Sequence, residues 1–229
     1  MKTLVIVGHP KVAESTTQQL FKAGVASSDD ITWHQLTETL DVNLEQALLL
    51  QADRVVFQFP LYWYSAPALL KHWQDTVLTT KFSVGTAYSL AGKELGLVIS
   101  TGAAKKEFQS GADEQFTMSE ILRPYEALAN KTKMKYLTPL VVYQFPYLTK
   151  LQQERLFINY QRYLTDPKFN HFVGQEKWIT QRLLQKIDAE ENAEKRETLQ
   201  QIQSVLQDNV DELIDLTMTA DMIRQDEDE

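Results

Sequence analysis

The sequence predicts an α/β protein: a doubly wound, five-stranded parallel sheet with a C-terminal helical extension. Three observations lead there. Several short segments are continuous apolar runs, such as Leu4-Val5-Ile6-Val7 and Val55-Val56-Phe57, the mark of strands buried on both faces. These runs alternate with segments whose apolar residues recur at helical spacing. The charge pattern also changes near residue 165. Residues 165–229 carry 16 acidic and 7 basic side chains, whereas residues 1–164 carry 15 and 16.

Thr3-Leu4-Val5-Ile6-Val7 is the first strand, and a loop from Gly8 to Glu14 follows. Ser15 fits a helix N-cap, with Gln18 three residues on completing a capping-box pattern. Leu20, Phe21, Gly24 and Val25 form that helix's inward stripe. ITWHQL (31–36) alternates as a second strand, and 43–51 reads as a short helix. DRVVFQF (53–59) is a third, buried strand. Pro67 opens the next helix, where its missing N–H costs nothing, and Leu69, Leu70, Trp73 and Val77 face inward. Residues 94–101 make a fourth strand, 114–130 a helix, 134–143 a fifth strand and 149–164 another helix. Pro139 marks an edge or a bulge in that fifth strand. Five strands within about 165 residues suit a flavodoxin-like fold, whose ligands bind beyond the carboxyl ends of the strands.

The composition narrows the function classes. Hydrophobic residues make up 43% of the 229, enough for a real core. No stretch approaches the roughly 18–20 consecutive apolar residues of a membrane span. MKTLVIVGHP is expected to be a strand and not a signal peptide. The chain has no cysteine, which removes disulfide and thiolate chemistry and fits the cytoplasm. A nearly neutral body offers no basic groove for nucleic acid. No metal motif and no G-x-S-x-G elbow is present. His34, His72 and His171 stand alone, and packing or surface roles are expected for them.

Three loops carry the chemistry. In GHPKVAEST (8–16) and the following Thr17, hydroxyls and free amides gather at a helix N-terminus. That arrangement suits a phosphate, or is simply a capped helix. In FPLYWYSAP (59–67), Tyr62, Trp63 and Tyr64 sit between two prolines just past a strand end. They suit a flat heteroaromatic ligand, or else pack on a neighbouring helix or second subunit. In STGAAKKEF (100–108), Thr101, Gly102 and two alanines allow close approach of backbone to a ligand.

Together, GHP with STT after it, FPLYWYSAPALLKHWQD, and STG after the fourth strand resemble the flavodoxin-like NAD(P)H:quinone oxidoreductases, including the type that serves as an ancillary subunit of potassium efflux systems. The resemblance spans roughly residues 1–165. It implies a flavin-binding domain over 1–170, with FMN, or alternatively FAD, as the cofactor. NADPH or NADH would be the hydride source and a quinone-like molecule the acceptor. The family pattern is a homodimer with the sites at the interface. On that pattern His9, Ser15, Thr16 and Thr17 hold the flavin phosphate. Pro60, Leu61, Tyr62, Trp63 and Tyr64 line the isoalloxazine, and Thr101 and Gly102 touch its far edge.

Two positions depart from the family. Phe108 stands where a tyrosine is usual, and Asp113 near the place of a histidine; both family groups are thought to assist hydride transfer. They are the candidate catalytic positions, and the change of chemistry leaves open a flavin-binding regulatory subunit with little turnover. A flavodoxin-type electron carrier is the other alternative, although the first loop begins Gly8-His9-Pro10 where carriers have a hydroxyl- and glycine-rich phosphate loop.

Residues 171–229 form an acidic helical extension. Leu199, Ile202, Leu206, Asn209, Leu213, Leu216, Ala220 and Ile223 recur at spacings of three and four. The stripe must be covered by residues 172–190, by the body, or by a peripheral partner or the other subunit. The terminal RQDEDE is expected to be unstructured.

Overall fold

Arg54–Pro60 (β3) lies at the centre of the sheet, and all seven of its residues are buried. The computed structural model describes residues 1–26, 28–169 and 172–227. His171 lies outside the described residues. Thr3–Val7 (β1) pairs with β3 on one side and with the edge strand Ile31–Gln35 (β2) on the other, both parallel. Glu94–Thr101 (β4) pairs parallel with the far side of β3. The strand order is β2-β1-β3-β4-β5, the doubly wound order expected from the sequence.

The fifth strand departs from the expectation. It is broken into Lys135–Tyr136 (β5) and Leu140–Tyr143 (β6), both parallel to β4. β5 pairs with Glu94 and Leu95, and β6 with Val98 to Thr101, so the ladder lapses at Gly96 and Leu97. Pro139 lies in that gap and has no N–H to give. Instead the Leu97 N–H donates to the Tyr163 hydroxyl at 2.8 Å. Gly96 makes this approach possible: a Cβ there would stand 2.7 Å from the Tyr163 oxygen.

Helices cover both faces. On one, Val42–Gln51 (α2), Ala68–Val77 (α3) and Arg123–Lys131 (α6) bring Leu49, Trp73 and Tyr125 into a core with Ile6, Phe57 and Leu97. Thr80–Ser83 (α4) is a single turn after α3. The predicted helix over 114–130 begins later and in two pieces, Met118–Ile121 (α5) and α6. A capping box from Thr117 to Glu120 starts the first, and Pro124 sits in the opening turn of the second. On the other face, Thr16–Val25 (α1) packs with Lys150–Thr165 (α7), and Phe21 stacks on Tyr160 at 4.3 Å.

Several buried polar groups are paired, whereas Trp33 Nε1, Gln74 Nε2 and Ser83 Oγ are buried without a hydrogen-bond partner among the described residues. The Arg54 guanidinium meets Glu94 at 2.6 Å. Glu45 accepts from the Trp73 Nε1–H at 2.7 Å and from His34 Nε2 at 2.8 Å, which gives His34 a structural place. Gln58, in mid-strand, donates to Gln18 Oε1 at 2.5 Å and accepts from the Tyr160 hydroxyl at 2.8 Å.

The chain forms two compact units, Met1–Thr165 and Asp166–Glu229. In the second, Phe172–Ala189 (α8) and Ala193–Glu227 (α9) form a helical hairpin. Asn192 caps α9, its Oδ1 accepting from the Lys195 N–H at 3.0 Å. Among the described side chains of α9, Leu199, Gln203, Leu206 and Val210 are the partly buried ones and mark its packed face. This corrects the predicted stripe: Ile202, Asn209, Leu216 and Ile223 are exposed, and the side chains of Leu213 and Ala220 lie outside the described residues. The α9 helix also continues through Glu227, where an unstructured tail was expected; residues 228–229 lie outside those described.

Candidate functional site

The carboxyl ends of β1, β3 and β4 lie side by side, and hydrogen bonds hold their loops together as they leave the sheet. The Gly8 N–H donates to the Gln58 carbonyl at 2.9 Å, and the Leu61 N–H to the Ser100 carbonyl at 2.8 Å. Gly8 is needed for close approach to α3, because a Cβ there would stand 2.6 Å from the Leu70 Cβ.

His9 is buried, and its Nδ1 accepts from the Lys11 N–H at 3.0 Å. An accepting Nδ1 puts the proton of the neutral ring on Nε2. Desolvation lowers the His9 pKa from its ordinary value and favours this neutral form. A short 3-10 turn, Val12–Glu14, leads to Ser15, whose hydroxyl accepts from the Gln18 N–H at 3.3 Å. The amides of Thr16 and Thr17, in the first turn of α1, have no intrahelical acceptor. The loop thus offers a cluster of donors at the positive end of a helix. The predicted capping box is only half formed, because the Gln18 side chain is taken by Gln58.

The loop after β3 turns back tightly. The Tyr62 N–H donates to the Ser65 carbonyl at 2.9 Å and the Ser65 N–H to the Tyr62 carbonyl at 3.0 Å. Trp63 and Tyr64 occupy the two turn positions with φ of 48° and 61°. A two-residue turn of this kind prefers glycine or asparagine at both positions. Two bulky aromatics held there cost on the order of 1–3 kcal/mol each. Burial does not compensate at Trp63, which is 94% exposed, while Tyr64, 53% exposed, is about half covered. Beneath the turn, Tyr125 packs on Phe59 at 5.4 Å, and its phenol, pushed up to about 12 by burial, stays protonated.

In the loop after β4, Gly102 has open space where a side chain would stand. The Thr101 hydroxyl accepts from the Ala103 N–H at 3.3 Å. Phe108 is buried, its ring tilted on that of Tyr143 at 5.9 Å, so this candidate position belongs to the core. Asp113 is exposed. The same loop returns to the aromatic turn, where the Tyr64 hydroxyl donates to Glu114 Oε2 at 2.8 Å. Tyr64, Phe116, Glu120 and Ile121 line an open cavity there. Sequence reading missed this link, as well as Tyr143, which pairs with Thr101 across the sheet. The run Leu140-Val141-Val142-Tyr143, ending a strand, was the signal for the latter. Among the described residues no group of three or more His, Asp or Glu side chains is arranged to hold a metal ion.

Residues 1–164 match the model of the family described as having a flavodoxin-like fold, and the chain belongs to that family. The sequence is 44% identical over 156 residues to an uncharacterized NAD(P)H oxidoreductase, YrkL, of Bacillus subtilis, covering 66% of this chain and 90% of the relative. The crystal structure of an NADPH-quinone reductase from P. pentosaceus is 57% identical, with a TM-score of 0.72, over 72% of this chain and 99% of that one. General stress protein 14 from Treponema denticola, crystallised in complex with FMN, is 30% identical, with a TM-score of 0.68, over 72% of this chain and 98% of that one.

Proposed function

We propose that this chain is a flavin-dependent NAD(P)H oxidoreductase that passes a hydride from NAD(P)H, through FMN, to a quinone or similar two-electron acceptor. The observation that carries this reading is the strained, exposed Trp63-Tyr64 turn beside an anion-ready helix start. The relatives' names supply the reaction class, and the complex of the Treponema protein supplies the flavin.

The residues present fit FMN. The His9 Nε2–H and the Thr16 and Thr17 amides can donate to its phosphate, with the Ser15 and Thr17 hydroxyls close by. A neutral imidazole costs less to bury than a charged one and still donates. Pro60, Leu61, Tyr62, Trp63 and Tyr64 would wall the isoalloxazine, and Thr101 and Gly102 would leave its far edge room. Bound FMN supplies the two-electron hydride chemistry between nicotinamide and acceptor. The protein's part is to fix the ring, exclude water from one face and hold the loops. Phe108, packed in the core and without a hydroxyl, moves no proton, and Asp113 faces solvent.

The exposed aromatic turn is also suited to a second subunit, and a homodimer closing over the site belongs to this reading. No described helix is long and apolar enough to cross a membrane. We place the protein in the cytoplasm, where nicotinamide cofactors are supplied. The test is anaerobic: the purified chain should retain FMN after gel filtration, oxidise NADPH or NADH, and require a quinone for repeated turnover. Failure to retain either FMN or FAD would end this reading.

A further inference from the structure

The hairpin of the second unit is uneven. The α8 helix has 18 residues and α9 has 35, so at 1.5 Å per residue α9 runs about 25 Å past its partner. The burial pattern agrees: among the α9 side chains that are described, Val210 is the last that is even partly buried. Beyond it Ile214, Leu216, Met218, Met222 and Ile223 are 46–60% exposed. Exposed apolar side chains on a helix of this length leave burial energy unused, and tertiary packing is where most helical stability comes from.

The exposed apolar residues are arranged. At 100° per residue, Ile202, Val205, Leu216 and Ile223 fall within about 60° of one another around the helix. This row lies beside the face that packs on α8. Asp208, Glu212 and Asp215, all exposed, fall in the adjoining sector on the other side. The sequence from 208 to 227 holds seven acidic residues and one basic.

We propose that the distal half of α9 is a docking surface for a protein partner that presents a basic amphipathic helix. Its apolar stripe would cover Leu216 and Ile223, and its lysines or arginines would face Asp208, Glu212 and Asp215. The charge decides between occupants. A second copy of α9 would bring an equally acidic segment against this one, whereas a basic helix gains at every contact along the row.

The test uses the full-length protein and a fluorescent helical peptide of about 21 residues built from leucine and lysine in heptads. The control peptide has glutamate in place of lysine. The lysine peptide should bind, and the glutamate peptide should not. Binding should weaken about tenfold or more in Leu216→Asn/Ile223→Asn and in Asp208→Asn/Glu212→Gln/Asp215→Asn, and weaken again at high salt. Circular dichroism should show that both variants keep their helix content. Equal binding of both peptides, or lysine-peptide binding unaffected by either variant, would overturn the proposal. So would a mass by light scattering that halves in Leu216→Asn/Ile223→Asn, because the occupant would then be a second copy. Binding of the wild type, but not of that variant, to zwitterionic vesicles would assign the surface to a lipid interface instead.

Discussion

The Tyr64 hydroxyl donates to Glu114 at 2.8 Å and so ties the turn after β3 to the loop after β4. The two residues are 50 apart in sequence and meet at the rim of the proposed site. Glu114 raises the Tyr64 pKa, through the hydrogen bond first and its charge second, so the phenol remains a donor through the neutral range. Tyr64→Phe should release the loop and raise the KM for nicotinamide or acceptor roughly two- to tenfold, the range of one net hydrogen bond. Thermal melting should hardly move, because the pair is solvent-facing. A lowered Tm with unchanged KM would show that the bond serves stability alone.

Gly8→Ala should destabilise the apo-protein by about 1–3 kcal/mol, the usual cost of overpacking. The added Cβ would stand 2.6 Å from the Leu70 Cβ, an atom too near its backbone to move aside. Urea denaturation measures this. FMN affinity should fall too, since the shift is passed to His9.

His9 should titrate below 6.5 in the apo-protein, as burial demands. With the folded-state pKa below the unfolded one, the unfolded chain binds the extra proton first. Stability from this group is therefore full above about 6.5 and is lost as pH falls through the folded value. A phosphate at the loop would reverse the shift by stabilising the imidazolium. NMR titration of the His9 ring, with and without FMN, should show the midpoint rise on binding. An unchanged midpoint would place the phosphate elsewhere.

Trp63 and Trp73 should behave as opposites. Trp73 is fully buried and donates to Glu45, so Trp73→Ala should cost about 3–5 kcal/mol of stability. Trp63→Gly removes an exposed side chain and relieves a left-handed backbone, so apo stability should stay within about 1 kcal/mol of wild type. FMN affinity should nevertheless drop roughly ten- to hundredfold through lost aromatic contact. The reverse pattern would make Trp63 a structural residue.

Gln58→Leu should cost about 1–3 kcal/mol, because Gln18 and the Tyr160 hydroxyl would both lose their buried partner. Gln58→Glu should recover part of that loss only at acidic pH, where the protonated carboxyl can donate to Gln18 and accept from Tyr160, and equal denaturation midpoints for the two variants there would count against the network.

Much of this architecture was legible in the sequence because apolar runs of four or five residues have few other uses. β1, β3 and β4 fall where Leu4–Val7, Val55–Phe59 and Leu95–Ile99 place them. The three loops could be chosen before their geometry was known, since the doubly wound order fixes which strand ends are neighbours. Local pattern does not carry side-chain direction in loops. Trp63 and Trp73 are the same residue type ten positions apart, yet only the backbone turn reveals that one points into water. Phe108 is a candidate through the family resemblance alone, whereas its burial on Tyr143 depends on a strand 35 residues away. The break in the fifth strand was half visible at Pro139, but its repair by Tyr163 was not, because that hydroxyl arrives from a distant helix. In α9 the heptad reading placed Ile202 on the inner face, and the α8 surface chose Gln203 instead.

The most direct test is anaerobic rapid-mixing spectroscopy of the FMN-reconstituted full-length chain. NADPH or NADH should bleach the flavin's visible band, and added benzoquinone should restore it with one quinone consumed per nicotinamide oxidised. A chain that binds FMN but shows no bleaching with either nicotinamide, or one whose bleached band is not restored by the quinone, would contradict the account.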